Sequence, residues 1–221
     1  MHFLITAGGT REYIDPVRFI SSAGSGRMGY ALARAAIGAG HRVTLITAPA
    51  NLRPPADANI VHVQTAKEMF AAVKKHFNRC DCLIMAAAVS DYTPANPAES
   101  KIKKTGKSLT VKLRPTADIL KWAGKHKKSK IEIQNSKIRQ SRLVVGFALE
   151  DKNLRTNAEN KLKQKSLDMI IANTPAAIGA EKSAVQIKTQ AGRWEKLPHA
   201  PKTLLAKKII AKIQKITPTG L

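Results

Sequence analysis

Acidic residues are scarce in this chain: 15 Asp and Glu stand against 38 Lys and Arg, a formal net charge of +23. The shortage is lopsided. Residues 1–100 carry 10 basic and 7 acidic side chains, whereas residues 101–221 carry 28 and 8. Such an excess points to an anionic partner, nucleic acid or polyphosphate, or to a solvated basic surface. Aromatic residues are only 5% of the chain, which leaves little material for the base-stacking platforms of single-strand binders. Cysteine occurs twice, at Cys80 and Cys82. Two thiols cannot build a disulfide framework, and no second Cys or His pair stands nearby at zinc-like spacing, so the pair reads as two small residues entering a strand. The six histidines are scattered and no Ser/His/Asp or Cys/His constellation emerges. Apolar runs fall well short of the roughly 20 residues of a membrane helix. The chain enters the strand-like HFLITA segment without a signal-peptide pattern. A cytoplasmic protein with no membrane partner is expected.

What is present is a rhythm. Apolar runs at 2–7, 41–48, 59–65 and 80–88 alternate with amphipathic stretches at 26–39 and 66–77. The pattern resumes with a strand at 108–113, a helix at 117–126, a strand at 142–150, a helix at 156–166 and a strand at 167–173. Residues 183–189 and 193–198 read as an edge hairpin, and 202–216 as a closing helix with a basic face. Strands alternating with helices predict an α/β fold with a doubly wound, mainly parallel, Rossmann-like sheet. One domain, 1–221, is expected, with a basic insertion or local hairpin at about 126–141.

Chemistry concentrates beyond the apolar run that ends in Met85-Ala86-Ala87. A lone acid, Asp91, is followed by a proline-broken loop carrying Lys101, Lys103 and Lys104. A buried strand that delivers one carboxylate and mobile cations at its carboxyl end suits a phosphorylated ligand, although an isolated Asp often only caps a turn and a lysine run is often a solvated face. Gly24-Ser25-Gly26-Arg27-Met28-Gly29 fits G-x-G-x-x-G at a helix start. A dinucleotide loop leaves its strand directly, and here many residues intervene after Ala7. No acid ends the second strand either, so the spacing argues against NAD. An anion site at the helix N-terminus and close helix–sheet packing both remain as readings. Lys161 and Lys165, four apart, share a helix face and can reach one phosphate chain, or can simply face solvent.

Taken in order, ITAGGTREYIDPVRFIS (5–21), SGRMGYALA (25–33), AAAVSDYTP (86–94), KIKK (101–104), VVGFALE (144–150) and KLKQKSLDMIIAN (161–173) resemble the CTP-dependent phosphopantothenate–cysteine ligases of bacterial coenzyme A synthesis. The resemblance spans nearly the whole chain. It implies that CTP activates 4'-phosphopantothenate as an acyl-cytidylate, releasing pyrophosphate, and that the amine of cysteine then forms the amide. It implies CTP contacts at Met85, Ala86, Ala87, Asp91, Lys101, Ala117, Asp118, Ile119, Leu120, Phe147, Lys161 and Lys165, with Phe147 against the base. It implies phosphopantothenate contacts at Arg18, Gly24, Ser25 and Gly26, catalytic roles for Arg18, Ser22 and Lys101, Mg²⁺ as cofactor, and a homodimer. The family often fuses this unit to a flavin-dependent decarboxylase. No FMN is expected in this chain, and the decarboxylase is expected on a separate chain or domain.

Two departures stand out. The family asparagine that stabilises the acyl-cytidylate is Ser22 here, and a hydroxyl lacks the amide's paired donor and acceptor. Loss of such a donor costs roughly 2.7–4 kcal/mol in a transition state. The usual N-P-D-I reads Thr116-Ala117-Asp118-Ile119. Two other readings follow: a diverged CTP binder with weak turnover, drawn from Ser22, and a basic nucleic-acid-binding protein, drawn from the net charge.

Overall fold

Runs such as Phe3–Ala7, Val43–Thr47, Cys82–Met85 and Met169–Ala172 are buried along their whole length rather than at alternate positions. Only a sheet covered on both faces accommodates that, which in practice means parallel strands with helical crossovers. The computed structural model shows this arrangement. It describes residues 1–133 and 136–216, and the side chains of these except 129–140.

Six parallel strands form the sheet: β1 (His2–Ala7), β4 (Arg42–Thr47), β5 (Asn59–His62), β6 (Cys82–Met85), β11 (Leu143–Leu149) and β12 (Met169–Asn173). Their spatial order is β12-β11-β6-β1-β4-β5. Numbered by chain order, this is the 3-2-1-4-5-6 winding of dinucleotide-binding folds, with its reversal between β1 and β6. At the far edge β13 (Lys182–Thr189) and β14 (Glu195–Pro201) add the antiparallel hairpin expected there.

Helices α1 (Arg27–Gly38) and α5 (Lys202–Ile216) cover one face, with Tyr30, Leu32, Leu205, Ile209 and Ile213 in the core. On the other face lie α2 (Ala66–Phe77), α3 (Ile119–His126) and α4 (Leu154–Gln164), burying Met69, Val73, Ile119, Leu120 and Leu162. Local signals start the helices. Thr65 caps α2, its hydroxyl accepting from the Glu68 N–H at 3.1 Å, while the Glu68 carboxylate accepts from the Gln64 N–H at 2.8 Å. Asp118 caps α3, accepting from the Lys121 N–H at 2.8 Å.

Two features depart from the expected pattern, and a third, the hairpin after α3, follows it. Within the long stretch that separates Ala7 from the glycine-rich segment lies a short hairpin of β2 (Arg11–Tyr13) and β3 (Phe19–Ser21). The strand expected at 108–113 is not part of the sheet: only Leu113–Pro115 (β8) is extended, paired antiparallel with β7 (Tyr92–Pro94). Its alternation is genuine, but Leu109 and Leu113 stay exposed because no core surface faces them. The basic segment after α3 forms a hairpin of β9 (Lys128–Ile133) and β10 (Ser136–Ser141). Its base is anchored by Lys127, paired with Asp168 at 2.7 Å, and by the buried Arg142, which donates to the Asn78 carbonyl at 3.0 Å.

Gly29 lets α1 lie directly on β1: a Cβ there would stand 2.6 Å from the Ala7 Cβ and 2.9 Å from the Thr6 carbonyl oxygen. Gly38, in the same helix, has nothing within 4 Å of such an atom. Gly29→Ala is therefore expected to destabilise the fold by about 1–2 kcal/mol, overpacking outweighing the better helix propensity. Gly38→Ala should stabilise it by roughly 0.5–1 kcal/mol. Urea unfolding of the two variants checks this, and equal shifts for both would count against the close α1–β1 contact.

Candidate active site

The loops that leave β1 and β6 are tied together where the winding reverses. The Ala87 N–H donates to Thr6 Oγ1 at 3.2 Å, the Ala88 N–H to the Gly8 carbonyl at 2.8 Å, and the Thr10 N–H to the Ala88 carbonyl at 3.2 Å. Thr10 Oγ1 in turn accepts from the Ser90 N–H at 2.9 Å. The β2–β3 hairpin carries the chain outward and returns it to the same place. Gly26, the N-cap of α1, sits at φ +75°, and a Cβ on it would meet the Gly8 nitrogen at 3.2 Å. Despite the long connection, the first turn of α1 thus faces the carboxyl end of β1. It has no side-chain cap and no acid, so its free N–H groups and positive dipole end favour an anion.

Two adjoining cavities open here. The first, about 450 Å³, is lined by Met85, Ala87, Asp91, Ala117, Asp118, Ile119, Leu120, Phe147, Lys161 and Lys165, among others. The second, about 360 Å³, runs past Ser22, Gly24, Ser25, Gly26, Arg27 and Ala86 to Asn173, Ala177 and Lys202. Ala87, Val89, Asp91, Phe147 and Lys161 belong to both. All but two of the contact and catalytic residues that the resemblance implies therefore line this crevice.

The exceptions are Arg18 and Lys101, which line neither cavity. Arg18 is held by the buried Asp15, with its Nη2 and Nε donating to Asp15 Oδ2 at 2.5 and 3.0 Å, and its Nη2 also donates to the Ile102 carbonyl at 2.7 Å. Asp15 Oδ2 accepts from the Ile102 N–H at 3.1 Å as well. Burial pushes the Asp15 carboxyl up, but Arg18 and the N–H groups of Val17, Ile102 and Arg18 outweigh it and hold it well below the usual carboxylate range. The pair pins the root of the lysine loop. Lys101, Lys103 and Lys104 themselves are exposed.

Lys161 is the electrostatic centre of the shared wall. Its ammonium donates to the Phe147 carbonyl at 2.8 Å. Burial, and secondarily Lys165, push its pKa down, against the pull of Glu150, Asp91 and Asp118. Lys165 pairs with Asp118 at 2.9 Å. Burial raises Asp118, but the Lys121 N–H and the two lysines outweigh it, so its pKa lies below the ordinary value. Cys80 and Cys82 are buried, and burial pushes the Cys80 thiol up to about 12 and Cys82 well above its usual value, which leaves neither as a nucleophile. No group of three or more His, Cys, Asp or Glu among the described residues could hold a metal on its own. No helix among them is long and apolar enough to cross a membrane.

Sequence reasoning missed Arg27, Asn173 and Lys202 in the second cavity. A signal existed for Lys202: it precedes Leu205, Ile209 and Ile213 by three, seven and eleven residues, on the apolar stripe of α5.

A phosphate-favouring helix N-terminus and two clefts at a winding reversal define an α/β domain of the class that binds phosphorylated ligands beyond its strand ends. The chain belongs to the DNA/pantothenate metabolism flavoprotein C-terminal domain family, whose model matches residues 1–217. It is 39% identical over 217 residues to the coenzyme A biosynthesis bifunctional protein CoaBC of Bacillus subtilis, covering 96% of this chain and 50% of that protein. A protein of an unknown prokaryotic organism, named cysteine/cysteine sulfinic acid decarboxylase, is 43% identical over 214 residues, covering 95% of this chain and 56% of its own length. The chain thus spans about half the length of the curated relatives it matches. The crystal structure of the C-terminal domain of CoaBC superposes with a TM-score of 0.80 at 33% identity, covering 97% of this chain and 94% of that one.

Asp118 ties α3 to α4, so its loss should be felt in stability. Asp118→Ala is expected to cost roughly 0.5–2 kcal/mol as a lost helix cap. Because the folded pKa lies below the unfolded one, the carboxylate's stabilisation is present above the ordinary carboxylate range and fades as pH falls through the folded value. Unfolding curves of wild type and Asp118→Ala should therefore converge on acidification. A gap that stays constant down to strong acid would contradict the pairing.

Proposed function

We propose that this chain is the ligase unit of coenzyme A biosynthesis, joining 4'-phosphopantothenate to cysteine at the expense of CTP. The observation that carries the reading is the pair of cavities meeting at Asp91, Phe147 and Lys161, because the reaction needs a nucleotide and an acyl substrate held end to end. In the first step a carboxylate oxygen of phosphopantothenate attacks the α-phosphorus of CTP, and the bond to pyrophosphate breaks. In the second, the cysteine amine attacks the acyl carbon, CMP leaves, and the amine gives up a proton.

On this reading the first cavity takes CTP. The loop Ala117–Leu120 and Phe147 flank the nucleoside, and Lys161 and Lys165 meet its phosphates. The half-buried Lys161, whose ammonium donates to the Phe147 carbonyl, stands where negative charge develops between the two substrates, where a fixed cation shielded from water acts most strongly. Mg²⁺ would be held chiefly by the nucleotide phosphates, with Asp91, the one cavity carboxylate without an ion pair among the described residues, as its protein ligand; it would neutralise phosphate charge. The second cavity takes phosphopantothenate past Ser22 and the start of α1. Arg18 is a positioning residue that holds the lysine loop by Ile102, so Lys101 would act by folding over bound nucleotide. A homodimer, a cytoplasmic location and a decarboxylase on another chain or domain complete the proposal.

Pyrophosphate release from CTP tests it. Release should require phosphopantothenate, and adding cysteine should yield amide. Lys161→Met should lower release roughly 10²–10³-fold, in line with loss of one transition-state donor. Ser22→Asn should speed amide formation by about tenfold or more, since it restores a paired donor and acceptor beside the intermediate. CTP binding without release would leave a nucleotide binder on a ligase fold. Absence of CTP binding, together with RNA affinity that collapses with salt, would replace the reading with nucleic-acid binding.

A further inference from the structure

Of the described residues that line both cavities, Ala87, Val89, Asp91, Phe147 and Lys161, only Lys161 carries an amine. Lys165 lines the first cavity alone, where Asp118 holds it at 2.9 Å, and Lys202 lines the second alone. The two thiols, Cys80 and Cys82, are buried and line neither. Lys161 is half-buried, and among the described residues its ammonium has one hydrogen bond, to the Phe147 carbonyl at 2.8 Å. Burial, and then the charge of Lys165, press its pKa below the ordinary lysine value. Of the acids that pull the other way, Asp118 is taken by Lys165, and Glu150 accepts from Asn157 Nδ2 at 2.9 Å. A lysine in such surroundings keeps a larger share of neutral, nucleophilic amine than one in water.

On the ligase reading the acyl carbon must lie against this shared wall, because the nucleotide and the acid meet there. While CTP is bound, its phosphates hold Lys161 as the ammonium, since nearby negative charge favours the charged form. The first step changes that balance. The carboxylate becomes part of a mixed anhydride, and departing pyrophosphate carries away most of the phosphate charge. Lys161 then faces an activated acyl group with fewer anions to keep its proton in place.

We propose that Lys161 is a self-acylation site: when cysteine is absent, its amine attacks the acyl carbon of the acyl-cytidylate in cysteine's place. The proposal rests on the ligase reading for the identity of the acyl donor. The bond from the lysine nitrogen to the acyl carbon forms, the bond from that carbon to the phosphate oxygen of CMP breaks, and the amine proton goes to solvent. The Phe147 carbonyl fixes the nitrogen in one place, the condition for an internal attack to compete with water. The product is an amide, which no later step of the reaction removes. It replaces the ammonium at the junction by an uncharged group, so each event silences one chain. Cysteine protects the enzyme by consuming the intermediate first, and survival of the enzyme is thereby tied to supply of its amine substrate.

The test is the intact mass of the chain after incubation with CTP, Mg²⁺ and 4'-phosphopantothenate without cysteine, with pyrophosphate release followed in parallel. A single acyl group per chain is expected, mapped by peptide mass spectrometry to Lys161. It should resist hydroxylamine, which would strip an ester at Ser22 or an anhydride at Asp91. Ligase activity measured afterwards should fall in proportion to labelling, and cysteine present from the start should prevent both. Preformed acyl-cytidylate bypasses the first step. It should label wild type but not Lys161→Arg, whose guanidinium keeps the charge and stays protonated. Pyrophosphate release with no label, or label on Lys165, Lys202 or exposed lysines in general, overturns the assignment. The ligase reading fails separately: if no pyrophosphate is released yet preformed acyl-cytidylate labels Lys161, the reaction is removed and the reactive lysine stands. If preformed acyl-cytidylate leaves wild type unlabelled, the proposal falls whatever the pyrophosphate assay shows.

Discussion

β1 hydrogen-bonds to β4 on one side and to β6 on the other, and the chain leaves β1 and β6 toward opposite faces of the sheet. A crevice must open where those paths part, because no backbone fills the space beyond the strand ends. The rest of the site is a response to that opening. Thr6, Gly8 and Thr10 hold the Ala87–Ser90 segment by hydrogen bonds, so the crevice floor is rigid although it is made of loops. Gly24 and Gly26 bring the start of α1 against Ala88 and Gly8 at distances that a side chain would block. The apolar strands and the small residues thus act at one point: the strands bury the sheet, and the glycines let a helix terminus reach the gap it leaves.

Charge is then arranged by partner. Lys165 has Asp118, Arg27 has Glu181 and Arg18 has Asp15. Among the described residues, Lys161 and Lys202, the more deeply set lysines of the two cavities, have only the carbonyls of Phe147 and Ala177 as partners. A carbonyl orients an ammonium without neutralising it. The protein therefore holds two directed positive charges in surroundings that disfavour them, and this preorganisation makes a cation effective toward an incoming anion or a developing charge. The paired cations are fixed by their carboxylates, and the two held by carbonyls line the cavities.

Much of the fold is legible because burial on both strand faces leaves an unmistakable run of apolar residues, and because parallel order follows from the alternation with helices. The errors share one cause. SLTVKL has strand alternation, yet alternation reports only the two faces of an extended chain and not whether a surface waits to cover one of them. The 11–21 segment was illegible as a hairpin because three-residue strands carry too little pattern. Its effect was larger than its size: it returns α1 to β1, so the distance along the chain between Ala7 and Gly26 misrepresents their distance in space. Of the site, residues on regular elements were readable. Lys161 and Lys165 share a helix face by their spacing, and both line the first cavity. Arg18 and Lys101 hang on loops, where spacing gives no direction; the partner that captures Arg18 is a carboxylate three residues away.

The large basic excess takes on a narrower meaning in this light. Of the 28 basic residues in 101–221, Lys161, Lys165 and Lys202 line the two cavities, while Lys127 and Arg142 serve the core beneath the basic hairpin. Exposed charges more than about 10 Å from a ligand are largely screened at ordinary salt. They can raise the rate at which polyanions arrive but cannot discriminate among them. Discrimination falls to the few cations whose burial removes that screening. Net charge alone suggested nucleic acid, because composition counts every lysine equally. Burial separates the lysines that attract anions in general from the few that line the two cavities.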